Sequence, residues 1–299
     1  MIITHRLIRH LASIVLFYCI ASISLLALYT NYLDSDAFSG DIEITFVGVV
    51  SMQRSSSTFL SHQILAGEDI PPDSPLANAP FLQSTATRQR KHFVALNEIF
   101  QTYEQQSGDA WSTDGKELLQ DGKRTVKDLS GEELHDFLLR VAHRRCHLQI
   151  RKDLKQSSVR AVNRHQCIVT FKQFPEHLTM EQHKYVWKSL PNFRMIILER
   201  NIKERWKSYW FAQQTGDWDV LGSKEHKQQL NAKIKNNVIP QVPAPFKEKH
   251  EQWYNAVHEF LDGKGVSKYI PHLDVQYRDV TNDPLTIREK ALNMIFSSS

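Results

Sequence analysis

Residues 42–60, IEITFVGVVSMQRSSSTFL, constrain the fold more than any other part of the chain. The apolar first half predicts a buried strand, and the polar loop from Gln53 to Thr58 leads into residues with helical spacing. Such a loop presents backbone N–H groups, hydroxyls and the Arg54 guanidinium to an anion, because the first N–H groups of a helix have no partners within it. The loop lacks the Lys-Ser/Thr ending of loops that bind nucleoside triphosphates. It therefore favours a phosphate-bearing ligand other than ATP.

Strand and helix patterns alternate along most of the remaining chain. Strands are predicted at residues 167–171, 193–198 and 273–277, and helices at about 130–155, 179–189, 203–214, 223–237, 246–262 and 284–295. Residues 91–101 fit either a short helix or a strand. Such alternation is typical of an α/β fold with a mostly parallel sheet flanked by helices, in which ligands bind at the carboxyl ends of the strands.

Three cations are predicted to meet at this edge of the sheet. Arg54, Lys172 and Arg200 each come just after a predicted strand. Because the carboxyl ends of parallel strands lie at one edge, the three side chains are expected to converge on one ligand.

The helix predicted at 130–155 has a recognisable start and a predicted buried face. Ser130 followed three residues later by Glu133 is typical of a capping box. The apolar stripe of this helix is predicted to contain five residues: Leu134, Phe137, Leu138, Val141 and Leu148.

An apolar run at residues 11–29 predicts a membrane span, since about 20 apolar residues cross a bilayer. Basic residues precede the run and acidic residues follow it, so the positive-inside rule predicts a cytosolic tail (1–10), a signal anchor (11–29), a short stem (30–40) and a lumenal domain (41–299). A cleaved signal peptide is the alternative. The uncleaved anchor is favoured because the run exceeds a typical signal core and Leu28–Asn31 is a poor cleavage site. A short span suits the thinner membranes of the early secretory pathway.

Composition fits one globular domain behind an anchor, with 41% hydrophobic residues. The net charge of +4 gives no argument for nucleic-acid binding. Residues 143–147 and 151–152 are locally basic, and they fit either a solvated helix face or a patch for an acidic substrate. Cys19 lies in the predicted anchor, whereas Cys146 and Cys167 fit either a disulfide in an oxidising lumen or two buried thiols. No metal-ligand spacing occurs.

Two motifs resemble those of sulfotransferases that use 3′-phosphoadenosine 5′-phosphosulfate (PAPS). The loop from Gln53 to Leu60 resembles the RSGST or KSGTT loop that binds the 5′-phosphosulfate in that family, with Ser56 at the usual glycine position. The segment from Arg200 to Tyr209, RNIKERWKSY, resembles the family's 3′-phosphate motif, in which a strand-end Arg precedes a Ser by eight residues. An Arg fork binds a phosphate in bidentate fashion, and a hydroxyl adds a neutral donor.

Two weaker similarities extend the resemblance over most of residues 41–295. Phe171–Leu178 resembles the strand that delivers a Lys to the donor, and Val275–Val280 with Asp283–Pro284 resembles the late Tyr-Glu-Asp strand and helix. The resemblance implies a P-loop-like sulfotransferase fold. It also implies roles for donor-site residues: Arg54, Ser55, Ser56, Ser57 and Thr58 at the 5′-phosphosulfate, Arg200 and Ser208 at the 3′-phosphate, and Lys172 and Arg54 in catalysis.

The general base is predicted separately, because Phe174 occupies the position of the family's cytosolic catalytic His. Glu98 lies between apolar neighbours, and burial there would raise its pKa towards that of a useful base. Glu98 also fits a surface position on a short helix. His62 and His177 are weaker alternatives, and His177 is better explained by its place before a helix. Trp206, Trp210 and Trp253 fit adenine stacking, although core packing explains them more simply.

The resemblance implies sulfuryl transfer from PAPS to a hydroxyl, with 3′-phosphoadenosine 5′-phosphate (PAP) as product and no metal. A glycan is the expected acceptor, because the loop begins with Arg and the predicted domain faces the lumen. The predicted topology makes the chain a single-pass type II protein of the Golgi membrane. Two alternatives remain: a P-loop nucleotide-dependent kinase, and a non-catalytic, membrane-tethered glycan-binding protein. A kinase would need a Lys-Ser/Thr loop ending and a strand-end Asp for Mg²⁺, whereas the strand at 193–198 leads into Glu199 and Arg200.

Overall fold

The computed structural model describes residues 41–53, 57, 60–61, 65, 89–96, 99–100, 126–156, 164–216, 239–263 and 269–296. Several predictions concern residues outside these ranges: the anchor and stem at 1–40, the loop residues Arg54, Ser55, Ser56 and Thr58, the candidate bases Glu98 and His62, and the helix at 223–237. Within the described ranges, none of the helices combines the length and the apolar content that a bilayer crossing needs.

Five strands of the described chain form one sheet, which confirms the predicted α/β class. They are β1 (Asp41–Ser51), β2 (Gln89–Ala95), β3 (Arg164–Gln173), β4 (Arg194–Glu199) and β5 (His272–Gln276). Their order is β2-β3-β1-β4-β5. The pairs β1–β4, β2–β3 and β4–β5 are parallel. The ambiguous segment at 91–101 is therefore a strand over its first half.

Side-chain contacts show that β1 and β3 also run in the same direction. The Phe46 and Phe171 rings lie 6.5 Å apart. Two residues further along each strand, a Cβ on Gly48 would meet Gln173 Oε1 at 2.8 Å. Because the residue numbers of the contacting side chains increase along both strands, the carboxyl ends of β1 and β3 lie at the same edge of the sheet.

Six helices are described: α1 (Gly131–Gln156), α2 (Met180–Ser189), α3 (Ile202–Thr215), α4 (Ala244–Asp262), α5 (Tyr277–Asn282) and α6 (Pro284–Phe296). The predicted capping box is confirmed, since the Glu133 N–H donates to Ser130 Oγ at 3.2 Å and the Ser130 N–H donates to Glu133 Oε2 at 2.8 Å. Thr179 and Gln182 form a second capping box at α2. Asn201 caps α3 with its side-chain oxygen.

The core lies on both faces of the sheet, because successive strand side chains point to opposite sides. On one face, strand residues such as Phe46, Phe171 and Ile197 pack with the buried sides of α1, α2 and α4. On the other face, Val47, Val49, Ile168 and Leu198 pack with α6 and with Leu60 and Leu65. The sheet is thus covered on both sides, and its carboxyl edge remains as the place for a ligand.

The buried stripe of α1 differs from the prediction at one residue. Leu134, Phe137, Leu138 and Val141 are buried as predicted, whereas Leu148 is 54% exposed. Cys146 and Ile150 are fully buried instead. They continue the four-residue spacing of Leu134 and Leu138, and Leu148 is two residues from both Cys146 and Ile150, about 160° around the helix.

Cys146 and Cys167 form a disulfide between α1 and β3, with their Cα atoms 6.0 Å apart. Of the two alternatives that the sequence left open, the structure thus shows the disulfide rather than two buried thiols.

Candidate functional site

The carboxyl edge of the sheet brings two of the predicted cations together. Lys172 was predicted to follow a strand directly. It is instead the penultimate residue of β3, because β3 continues to Gln173. Arg200 directly follows β4. β1 lies between these two strands, so the loop that begins at Gln53 leaves the sheet between Lys172 and Arg200. The third predicted cation, Arg54, lies outside the described residues.

Only part of the predicted phosphosulfate loop is described. Ser57 is buried, with 5% of its surface exposed, and Leu60 and Leu65 behind it are fully buried. The chain after the loop is therefore anchored in the core.

The segment that carries the predicted base Glu98 also leaves the sheet at this edge. β2 ends at Ala95, and the N–H of Leu96 donates to the carbonyl of Thr170 at 2.8 Å. Ile99 and Phe100 are buried in the core that lies against β3. Glu98 itself is not among the described residues, so its role stays a prediction.

Lys172 has an unusual neighbour in His177. Both side chains are buried, with 3% and 5% of their surfaces exposed. Burial, and then the charge of Lys172, lowers the pKa of His177 from 6.5 to about 3, whereas a contact with the Lys172 backbone raises it. The imidazole is therefore neutral. Neither ring nitrogen has a hydrogen-bond partner of good geometry among the described residues.

His177 was predicted to be a residue that precedes a helix, and its backbone fits that description. Its N–H donates to the Phe174 carbonyl at 3.1 Å, two residues before the Thr179 cap of α2. The ring packs on Phe174 with centroids 4.8 Å apart. Two buried ring nitrogens without partners are nevertheless costly, so the position before a helix does not by itself explain a His here.

A second buried His nearby is fully integrated in the core. His183 Nε2 lies 3.2 Å from the Phe174 carbonyl, and its Nδ1 lies 3.4 Å from Gln173 Nε2. Gln173 Oε1 in turn accepts a hydrogen bond from Trp187 Nε1 at 2.8 Å. Burial lowers the pKa of His183 to about 3 as well.

The tryptophans considered for adenine stacking have other contacts. Trp253 is 3% exposed, and its ring meets His183 at a centroid distance of 4.9 Å, so it is a core residue. Trp206 Nε1 donates to the Pro240 carbonyl at 2.9 Å, and its ring packs on Phe246. Trp210 is half-buried on α3.

The Arg200 guanidinium packs on the ring of Tyr277, the residue that follows β5. Its Cζ lies 4.0 Å from the centroid of the Tyr277 ring. Burial lowers the pKa of Arg200 from its usual value, which nearby Tyr277 and Glu204 partly offset. Ser208 lies in the second turn of α3 and is half-buried. The strand–helix arrangement that the Arg–Ser spacing predicts is therefore present.

The residue before Arg200 belongs to a polar chain that the sequence did not reveal. Glu199 Oε1 lies 3.4 Å from His250 Nε2, and Glu199 Oε2 accepts a hydrogen bond from Gln276 Nε2 at 3.2 Å. His250 Nδ1 lies 3.3 Å from Arg205 Nη1. His250 and Arg205 are buried, with 6% and 3% of their surfaces exposed. Burial lowers the pKa of Arg205 to about 10.

Among the described residues, no three His, Cys, Asp or Glu side chains lie close enough together to bind a metal ion. The chemically distinctive groups of this part of the chain are instead the cations at the carboxyl edge and the neutral imidazole beside Lys172.

No known protein family matches the sequence, and no curated protein matches it. Among solved structures, a sulfotransferase from Alicyclobacillus acidocaldarius is similar at 12% identity and a TM-score of 0.40, over 85% of this chain and 81% of that protein. A GTPase from Pyrococcus abyssi is similar at 10% identity and a TM-score of 0.29, over 85% of this chain and 98% of that protein. At these values neither likeness decides a function, which therefore depends on the residues of this chain.

Proposed function

We propose that this chain transfers a sulfuryl group from PAPS to a hydroxyl acceptor by in-line displacement. The observation that carries the proposal is the position of Lys172 and Arg200. They lie at the carboxyl ends of β3 and β4, on either side of the strand that leads into the Arg54–Thr58 loop. Cations spaced across one edge suit a donor with separate 5′-phosphosulfate and 3′-phosphate groups.

Each group at the edge has a proposed task. The loop from Arg54 to Thr58 would hold the 5′-phosphosulfate, and Arg200 with Ser208 would hold the 3′-phosphate. Lys172 would stabilise the negative charge that develops on the bridging oxygen as the S–O bond to PAP breaks. A protein base, for which Glu98 is the candidate, would take the acceptor's proton as the new O–S bond forms.

The acceptor and the location are further proposals. The Arg-initiated loop and a lumenal domain favour a glycan hydroxyl in the Golgi. In this proposal residues 1–10 are cytosolic, 11–29 are the anchor, 30–40 the stem, and 41–299 the lumenal sulfotransferase domain. A kinase is disfavoured because β3 ends in Lys172 and Gln173 and β4 in Glu199, so neither strand ends in the Asp that would hold Mg²⁺.

The donor assignment is tested by calorimetric binding of PAP, of ADP, and of adenosine 5′-monophosphate (AMP), which lacks the 3′-phosphate. We expect the full-length chain to bind PAP more tightly than ADP or AMP. Arg200→Ala should weaken PAP binding by about 1.5–3 kcal/mol, since it removes a charged hydrogen-bond donor, and should leave AMP binding nearly unchanged. Arg140→Ala, an exposed change on α1, is the matched control. Equal affinity of the unmodified chain for PAP and AMP would refute the role of Arg200 and Ser208.

A further inference from the structure

Glu199 presents an electrostatic problem for a phosphate site at Arg200. The two residues are adjacent and carry opposite charges. Adjacent side chains can contact each other directly, as His135 Nδ1 and Asp136 Oδ1 do in this chain at 3.1 Å. A Glu199 carboxylate paired with Arg200 would compensate the guanidinium charge and repel a phosphate. Anion binding at Arg200 therefore requires that Glu199 be held by other partners.

The structure shows such partners on both carboxylate oxygens. His250 Nε2 lies 3.4 Å from Oε1, and Gln276 Nε2 donates to Oε2 at 3.2 Å. These contacts, led by the one from His250, hold the pKa of Glu199 below its usual value, although partial burial opposes them. The carboxylate is thus stabilised chiefly by His250 on α4 and by Gln276 at the end of β5.

Arg205 fixes the tautomer of His250. A guanidinium can only donate hydrogen bonds, so His250 Nδ1, which lies 3.3 Å from Arg205 Nη1, must be the acceptor. The ring proton is then on Nε2, which faces Glu199. Arg205 is itself held with its Cζ 3.9 Å from the centroid of the Phe246 ring. His250 therefore donates to Glu199 through Nε2, and the Arg205 contact at Nδ1 sets the orientation of the ring.

The residues on either side of Glu199 at the end of β4 also have defined partners. Tyr254 Oη donates to the Leu198 carbonyl at 2.7 Å. Tyr277, the residue after Gln276, lies under the Arg200 guanidinium. The neighbouring residues 276 and 277 thus engage Glu199 and Arg200 separately, which keeps the two opposite charges directed to different partners.

We propose that His250 and Gln276 are positioning residues that hold the Glu199 carboxylate away from Arg200, so that Glu199 does not compete with the 3′-phosphate for the guanidinium. This inference rests on the proposed function, and it adds a specific reason for a carboxylate beside a phosphate site. Without its two donors, Glu199 would become an internal competitor of the ligand.

The test measures 3′-phosphate selectivity, defined as the ratio of the AMP to the PAP dissociation constant, by calorimetry on the full-length chain. We expect His250→Leu to reduce the selectivity about tenfold, because it releases Glu199. His250→Gln should preserve it, since an amide can accept from Arg205 and donate to Glu199, as the two ring nitrogens of His250 do. Gln252→Leu is the control on the same helix, because that side chain is exposed.

The decisive variant is Glu199→Gln combined with His250→Leu. If a released carboxylate causes the loss, removing its charge restores the selectivity, whereas damage to packing would not be repaired. A selectivity that is unchanged in His250→Leu, or not restored in the double variant, overturns the inference. If His250→Leu does not fold, Gln276→Ala, at an exposed position, releases the other oxygen and must also lower selectivity. An unmodified chain without selectivity would instead refute the proposed function.

Discussion

His177 and His183 give a sharp prediction, because the two buried rings differ in their partners. Both pKa values are lowered to about 3, chiefly by burial. His183 contacts Gln173 and the Phe174 carbonyl. His177 has no well-formed hydrogen bond from either ring nitrogen among the described residues. Replacing each ring by Leu separates the cost of protonation from the value of the hydrogen bonds.

The sign of the pH effect follows from the protons bound in each state. Between pH 6.5 and about 3 the unfolded chain protonates each His while the folded chain does not. The free energy of unfolding therefore falls as the pH falls through this window, by up to about 1.4 kcal/mol per pH unit for each ring. Either Leu variant should remove one such contribution, which amounts to about 3 kcal/mol between pH 6 and pH 4.

At pH 7 the two variants should diverge. His177→Leu replaces a buried ring without a well-formed hydrogen bond among the described residues by an apolar side chain, so stability should stay equal or increase, by up to about 3 kcal/mol. His183→Leu removes a contact of Gln173 and should cost about 1–3 kcal/mol. Urea unfolding from pH 4 to pH 7 measures both effects. If the free energy of unfolding of His177→Leu depends on pH as steeply as that of the unmodified chain, His177 is protonated in the folded chain as readily as in the unfolded one. That result would refute the prediction.

Three further predictions concern the disulfide, the chemistry and the topology. Replacing Cys146 and Cys167 by Ala should cost about 3 kcal/mol of stability for a closed loop of this length, and reductant should destabilise the unmodified chain but not the variant in thermal unfolding. In single-turnover assays Lys172→Ala should lower the rate of sulfuryl transfer roughly 10²–10³-fold, and Glu98→Gln should lower it about 10²–10⁴-fold. Both variants should keep nearly the same affinity for PAP. Near-normal turnover in either variant removes that residue from the mechanism. A C-terminal tag should resist protease in sealed microsomes, and its digestion without detergent would refute the lumenal orientation.

Local signals in the sequence predicted the elements well. The capping box at Ser130 and Glu133 involves residues three apart, and the structure shows both of its hydrogen bonds. The strand ends that carry Lys172 and Arg200 follow from short apolar runs. Leu148 was misplaced because the buried face of this long helix turns around its axis, since a four-residue spacing drifts by about 40° per step at 3.6 residues per turn. Cys146 and Ile150 satisfy that spacing and Leu148 does not.

The environment of Arg200 could not be predicted in the same way. His250 and Glu199 are 51 positions apart in the chain, and only the packing of α4 beside β4 brings them together. The strand predicted to include Tyr277 ends at Gln276, and α5 begins at Tyr277. This one-residue difference places the ring at the start of a helix and under Arg200. Long-range packing, rather than local pattern, therefore sets the partners of both charges.

Burial and charge link Lys172, His177 and Arg200. Burial makes the charged form of a cation costly, and burial is the leading cause that lowers the pKa of Arg200 and of Arg205. A bound anion would compensate these charges. It would also weaken the repulsion by which Lys172 helps to keep His177 neutral. Binding of a multiply charged donor should therefore raise the pKa of His177, and an NMR titration of its ring with and without PAP measures this shift. A pKa of His177 that does not move on PAP binding would place the ligand away from Lys172.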